Sequence, residues 1–436
     1  GFYDSDGGVE VAGPKDVADA RAVIDWALES TAADPAAIGM AGISYGAGIS
    51  LLTSASDDRV DAVGAMSGWS DLEASLYPNE TINFQAAELL LLSGELTGTP
   101  SETLQEVEEQ YRDGNIEPML EMAPQRSAAT KADEINANDP AVMLAHAYND
   151  GIFPPGQITD FYGELDTDKR LMLSPGDHAT AELFGAVGLP NKVWHDLTRW
   201  FDHHLKGDNN GIATEDPVHL QENSKNGAWS TYPDWPSATA TTETHYLEEP
   251  RRSLSQWQPT GGMSKEPAPG WEHSIHAGLG TTAHSGTLLV SGALQQFLDV
   301  PTGVSLPLVN RYRAGVWSGP EYPEGATISG TPSVQVEVTP TAEETSLFFY
   351  LYATTRHGTG ELISHKPYTL RDATPGDPTT VDVDLQPVVR DLAPGRHLTL
   401  VVDTDDPRYT SESKRGERVE FSSVEDAPAA LTVPLS

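Results

Sequence analysis

The segment Gly42-Ile43-Ser44-Tyr45-Gly46 constrains this chain more than any other stretch of it. It follows the short apolar run Ile38 to Ala41 and precedes Ala47-Gly48-Ile49, a small-residue segment that can open a helix. A serine on a sharp strand-to-helix turn has its hydroxyl pushed out over the end of a sheet. The flanking glycines let the backbone take the strained turn and let a histidine approach. Ser44 is therefore a candidate nucleophile. A five-residue match also arises by chance, and the plain alternative is an ordinary turn serine.

Two later segments have the same design. Ala141 to Ala147 reads as a buried strand, and the loop after it carries Asp150. Lys169 to Leu173 reads as another, with Ser174-Pro175-Gly176-Asp177-His178 in the loop beyond it. The chain order is Ser, Asp, His, which is the order of the α/β-hydrolase triad. All three residues follow predicted strands, and the carboxyl edge of an open α/β sheet is where sites are built. The chemistry needs this set. A serine hydroxyl is a poor nucleophile until an imidazole takes its proton, and a carboxylate orients the imidazole. Asp177 is the second choice for the acid, because adjacency to His178 makes a bond to the ring awkward.

Gly1-Phe2-Tyr3-Asp4-Ser5-Asp6-Gly7-Gly8, Gly13 to Asp19, Asp25-Trp26 and the Gly42–Gly46 turn together resemble the Xaa-Pro dipeptidyl-peptidase and cocaine-esterase family. This is serine peptidase family S15, the CocE/NonD hydrolases. His146 to Asp150 is similar to the family's acid loop, Gly176-Asp177-His178 to its histidine loop, and Arg199 to Gly207 to the helix that closes its hydrolase domain. The resemblance implies an α/β-hydrolase domain with an inserted helical cap and a C-terminal all-β jelly roll. It implies triad roles for Ser44, Asp150 and His178, and a backbone N–H of Tyr45 as one oxyanion donor. Family members have several strands before the segment matching Gly1, and that region supplies a tyrosine hydroxyl as the other donor. Losing one such donor costs a factor of roughly 100 to 1,000 in turnover. The expectation is a fragment of a longer precursor whose N-terminal strands are absent. Its activity would then need an upstream segment, attached or supplied as a separate chain.

The domain expectations are residues 1–72 and 136–207 for the hydrolase, 73–135 for the cap, and 208–436 for the jelly roll. Pro14 suits the first turn of a helix whose Val17, Ala20, Ile24, Ala27 and Leu28 share a sheet-packing face. Val60 to Met66 reads as a strand, and Trp69 just beyond it either lines the pocket or is buried for structural reasons. Ser101 reads as an N-cap for a helix through Tyr111. Beyond Gly207 short strands alternate with turn residues, as in a β sandwich. Within it Leu347 to Tyr352 reads as core. Asp403-Thr404-Asp405-Asp406 has the oxygen ligands for Ca²⁺ but lacks the spacing of a known loop. His195, His203 and His204 share a helix with Trp194, Leu197, Trp200, Phe201 and Leu205, which reads as amphipathic packing rather than a metal site.

The 65 acidic and 26 basic residues give a net charge of −39, which disfavours nucleic acid and anionic membranes as partners. There are no cysteines, hence no disulfides or thiolate metal sites, and the composition leans toward export. No cofactor or metal is expected. The expected partners are a small-molecule or peptide substrate, the upstream segment, and a second copy in a homo-oligomer. Three readings compete: a serine hydrolase forming an acyl-enzyme on peptides or small acyl esters and amides, a binding protein whose jelly roll recognises a polymer or sugar, and an inactive fragment. In the first, a dipeptidyl peptidase needs an acid for the substrate ammonium, with Asp71, Glu73 and Glu88 as candidates.

Overall fold

The short apolar runs become the strands of a mostly parallel sheet. The structure is a computed structural model that describes residues 1–224, 226–252 and 258–436. It divides into two compact units. The first comprises Gly1–Leu76, Gln85–Gln221 and Trp229–Asp234, and the second Tyr77–Phe84, Glu222–Ala228 and Trp235–Ser436.

In the first unit, β1 (Ile38–Ile43), β2 (Val60–Met66), β3 (Ala141–Ala147), β4 (Lys169–Ser174), β5 (Val218–Gln221) and β6 (Trp229–Tyr232) lie side by side in chain order. The first five run parallel and β6 antiparallel. β3 is buried along its whole length and β2 nearly so, as expected of parallel strands covered on both faces. The register pairs Ile43 with Met66, Met66 with Ala145, and Ala145 with Met172. The strands therefore end level, and their loops meet over one edge.

The helices that accompany this sheet are α1 (Pro14–Ser30), α2 (Tyr45–Ser56), α3 (Leu72–Leu76), α4 (Phe84–Thr97), α5 (Glu102–Arg112), α6 (Glu117–Met122), α7 (Ala132–Asn138), α8 (Gly156–Glu164), α9 (Thr180–Ala186) and α10 (Lys192–Lys206). α1 starts on Pro14 as expected, but its inward stripe, centred on buried Ile24, packs against α2 rather than the sheet. The Ser101 hydroxyl accepts from the Leu104 amide and caps α5. Asn191 caps α10 in the same way, and Gly207, at φ 72°, ends that helix. Val193, Leu197 and Trp200 of α10 are buried against β2 and β3, with Trp194, Phe201 and Leu205 alongside. The histidines have separate uses: His204 stacks on Trp200 at 4.2 Å, His195 contacts Asp196, and His203 bonds the Asp208 carbonyl.

Two expected boundaries shift. The first sheet does not stop at residue 207, because β5 and β6 extend it past the closing helix. Within the region expected to be cap, Tyr77–Phe84 belongs to the second unit. There Asn79 donates to the Pro367 carbonyl at 3.0 Å, and the Thr81 and Thr369 hydroxyls meet at 2.8 Å.

The second unit is a β sandwich. Its strands are β7 (Thr241–Leu247), β8 (Gly261–Ser264), β9 (Trp271–His276), β10 (Gly303–Ser305), β11 (Gly315–Tyr322), β12 (Ala326–Gly330) and β13 (Ser333–Pro340). They continue with β14 (Thr345–Thr354), β15 (Thr359–Leu370), β16 (Thr379–Asp384), β17 (Val388–Leu392), β18 (Arg396–Asp403), β19 (Arg418–Ser423) and β20 (Ala430–Leu435). One sheet holds β10, β15, β14, β18 and β11; β8 joins it to the sheet of β7, β20, β13 and β19. Along β14 the expected core run divides with period two: Leu347, Phe349 and Leu351 enter one apolar cluster, Phe348, Tyr350 and Tyr352 another. The acidic run after β18 anchors a loop. Asp403 accepts from the Thr281 hydroxyl at 2.7 Å, and Asp406 from Ser285 and from the Tyr350 hydroxyl at 2.8 Å.

Candidate active site

Ser44 sits between β1 and α2 with φ 58° and ψ −115°. A non-glycine residue in such a conformation costs of order 1–3 kcal/mol and persists only where its surroundings enforce it. Here the Ser44 amide donates to the Met66 carbonyl at 2.8 Å, and the Ser44 carbonyl accepts from Ala47 and Gly48. Gly42 is required sterically, since a Cβ there would lie 2.2 Å from the Gly46 carbonyl carbon. The turn thus throws the Ser44 side chain over the edge where the other strands end.

β4 delivers His178 to the same place. Its Nε2 lies 2.9 Å from Ser44 Oγ, and its Nδ1 lies 2.9 Å from Asp150 Oδ2. Asp150, from the loop after β3, accepts through Oδ1 from the amides of Ile152 and Phe153 at 3.0 and 2.9 Å. Burial pushes its carboxyl up, but the charge and hydrogen bond of His178, with His146 and the Phe153 amide, outweigh this and hold it below the usual value. Burial likewise opposes protonation of His178. The Asp150 charge and hydrogen bond, then Asp177 and Glu182, overcome it and hold the imidazole above its ordinary value.

Asp177 serves elsewhere. Its Oδ1 accepts from the amides of Gly151 at 3.0 Å and His178 at 2.8 Å, so it straps the acid loop to the histidine loop. The Tyr45 amide opens α2, where the first N–H groups have no intrahelical partner. The Tyr45 ring is fixed, its hydroxyl accepting from the Ala12 amide at 2.6 Å and donating to Asp16 at 2.8 Å. Trp69 is 2% exposed. Its indole N–H donates to the Arg126 carbonyl at 2.6 Å, and its ring packs between Tyr45 and Phe153. It is therefore a buried support behind the site, the structural alternative of its two readings. Of the expected acids, Asp71 caps the amide of Ala74 at the start of α3, Glu73 is exposed on that helix, and Glu88 lies beside Tyr111.

Three neighbours were not legible in the sequence. Phe153 packs edge-on to the His178 ring at 5.3 Å between centroids. Fully buried His146 donates Nε2–H to the Phe153 carbonyl at 2.6 Å and lies 3.3 Å from Asp150; burial keeps it neutral, lowering its affinity for a proton against the Asp150 charge. Glu182, on α9, is entirely buried and neither carboxyl oxygen has a close hydrogen-bond partner. Burial, reinforced by the Asp150 charge, pushes it up to about 7. The Glu182 amide, the His178 charge and the Ser67 hydroxyl pull in the opposite direction without overcoming burial, and Ser67 Oγ also accepts from the Ala179 amide at 3.1 Å.

The first unit is an α/β-hydrolase fold with a Ser–His–Asp array at the carboxyl edge of its sheet. Family profiles match nearly the whole chain. Residues 1–180 match the X-Pro dipeptidyl-peptidase (S15 family), and residues 210–430 match the X-Pro dipeptidyl-peptidase C-terminal non-catalytic domain. The chain belongs to the S15 family of serine hydrolases. A provisionally designated serine esterase of Mycobacterium bovis is 30% identical over 123 residues, 27% of this chain and 19% of that protein. The match thus spans about a fifth of the curated relative's length. Among solved structures, a CocE/NonD family hydrolase from Staphylococcus aureus has a TM-score of 0.74 at 12% identity, over 100% of this chain and 79% of that one. An α-amino acid ester hydrolase has a TM-score of 0.74 at 14% identity, over 100% and 84%. An aminopeptidase from a marine sediment Thaumarchaeota archaeon has 0.69 at 13% identity, over 100% and 84%. At these identities the structures establish the fold.

Proposed function

We propose that the protein hydrolyses acyl esters or peptide amides through an acyl-enzyme on Ser44. The observation that carries this reading is the continuous relay from Ser44 Oγ through His178 to Asp150, two contacts of 2.9 Å ending on a carboxylate that is itself held by two amides. In the ground state Nδ1–H of His178 donates to Asp150, and Nε2 accepts from the Ser44 hydroxyl. As Oγ attacks the substrate carbonyl carbon, its proton passes to Nε2, and Asp150 stabilises the imidazolium. The carbonyl oxygen becomes an oxyanion facing the Tyr45 amide, where the positive end of the α2 dipole adds to the stabilisation. Collapse breaks the bond to the leaving group, which takes the proton from Nε2. Water then attacks the acyl-enzyme with His178 as base and regenerates Ser44.

Family membership supports two substrate classes: peptides with an Xaa-Pro N-terminus, and small acyl esters or amides. Steady-state hydrolysis of Ala-Pro-p-nitroanilide against p-nitrophenyl acyl esters separates them. Turnover of either that is lost in Ser44→Ala supports the proposal. Turnover that survives in Ser44→Ala contradicts it.

A further inference from the structure

The second unit holds a cavity of about 500 Å³ whose wall contradicts the charge of the rest of the chain. The protein as a whole carries −39. Yet Arg311, Arg356, His357 and His397 line this cavity, and no carboxylate does. It lies where β11, β14 and β18 come together, with the Thr355–Gly358 turn on one side and Leu306 and Pro307 on another.

Arg311 is the decisive residue. It is 7% exposed. A buried guanidinium is normally paired with an anion, because the desolvation of an unpaired charge is expensive. Four arginines are buried among the described residues: Arg170 meets a carboxylate, Arg126 feels the charges of Glu10 and Asp16, and Arg408, like Arg311, makes no ion pair. Nη1 of Arg311 donates to the carbonyls of Leu306 and Val309, and Nε has no acceptor. Burial alone acts on it, pushing it down to about 10 with no neighbouring negative charge to oppose the shift. Residues 253–257 are Ser-Leu-Ser-Gln-Trp and residue 225 is Lys, so no carboxylate lies outside the described residues. Arg356, exposed on the turn, has His357 as its one side-chain hydrogen-bond partner among the described residues.

The rest of the wall carries hydroxyls. Ser318 and Thr354 both meet the Thr399 hydroxyl, at 3.1 and 2.9 Å, and Thr355 meets Thr359 at 2.8 Å. The Thr354 hydroxyl also donates to the His397 carbonyl at 3.4 Å, and a hydroxyl, with one O–H and two lone pairs, retains accepting capacity beyond such contacts. A guanidinium without a counter-ion, a second arginine at the rim and a ring of hydroxyls suit a small polyhydroxylated molecule bearing an oxyanion.

We infer that this cavity is a binding site for a hydroxylated oxyanion, such as a sugar acid or sugar phosphate, with Arg311 as its buried counter-charge and Arg356 as its rim contact. The site is independent of the Ser44 chemistry. Calorimetric titration of the intact protein with glucuronate, glucose 6-phosphate, glucose and inorganic phosphate tests it. Saturable binding of glucuronate or glucose 6-phosphate, with glucose at least about tenfold weaker, is expected, since a hydrogen bond to a charged group is worth about that factor or more. The tighter of the two anionic sugars identifies the oxyanion, and inorganic phosphate alone binds more weakly if the hydroxyls contribute. Arg311→Met abolishes binding. Arg356→Ala, at an exposed position that no fold contact depends on, weakens it about tenfold and decides the matter if Arg311→Met does not fold. Ser44→Ala binds like the parent. The inference is overturned if neither anionic sugar binds saturably, if glucose binds as tightly as glucuronate and glucose 6-phosphate, or if Arg356→Ala binds like the parent.

Discussion

Replacing Glu182 by Gln makes the protein more stable at alkaline pH and leaves it nearly unchanged at acid pH. In the folded chain this carboxyl is fully buried and titrates near about 7, against an ordinary value of 4.5. Below 4.5 it is protonated in both folded and unfolded chains, and its burial costs no ionisation energy. Between 4.5 and about 7 the folded state holds a proton that the unfolded state has released, so stability falls as pH rises. Above about 7 the full penalty applies. At about 1.4 kcal/mol per pH unit this comes to about 3 kcal/mol. A neutral amide of the same shape removes the titration. The stability difference between variant and parent therefore grows from near zero at pH 4.5 to about 3 kcal/mol at pH 8. Urea unfolding of both proteins at several pH values, compared as differences, measures this and cancels every titration they share. A difference that is flat with pH, or a variant weaker than the parent at pH 8, would show that Glu182 is not a buried strained acid.

The same substitution removes a negative charge beside His178, so the acid limb of kcat/KM, which the raised imidazole places above 6.5, moves down. Asp150→Asn keeps the fold and loses most activity at neutral pH, by a factor of about 10⁴, because the imidazole is left in the wrong tautomer. Asp177→Asn retains an acceptor oxygen for the Gly151 and His178 amides and is much milder; paired turnover assays check the contrast, and a reversed order would make Asp177 the orienting acid. Gly48→Ala places a methyl 2.8 Å from the Trp69 ring, and overpacking of this kind costs about 1–3 kcal/mol, read as a lower urea midpoint.

Much of the array was legible because parallel strands announce themselves. β2 and β3 are seven-residue strands that are apolar apart from Asp61 and His146, and Ser44, Asp150 and His178 stand in the loops just beyond β1, β3 and β4. The preference for Asp150 over Asp177 also followed from the chain, since a residue next to His178 reaches its backbone amide more easily than its ring. The continuation of the sheet was hidden, because β5 and β6 are four residues each and carry His219, Gln221 and Thr231, which break any apolar pattern. Glu182 was invisible for a different reason. An acid in the first turn of a helix reads as a favourable dipole partner facing water, and only the tertiary fold turns it inward. Trp69 was ambiguous in sequence because a tryptophan past a strand end serves a pocket wall or a packed support equally well, and its bond to the Arg126 carbonyl spans 57 residues.

The central claim is that Ser44 is activated by His178. Its most direct test is labelling with a fluorophosphonate, followed by peptide mapping of the adduct by tandem mass spectrometry. The account predicts one adduct per chain, on Ser44, lost in Ser44→Ala and strongly slowed in His178→Ala while urea unfolding stays like the parent's. An adduct on another serine, or an unchanged labelling rate in folded His178→Ala, would contradict it.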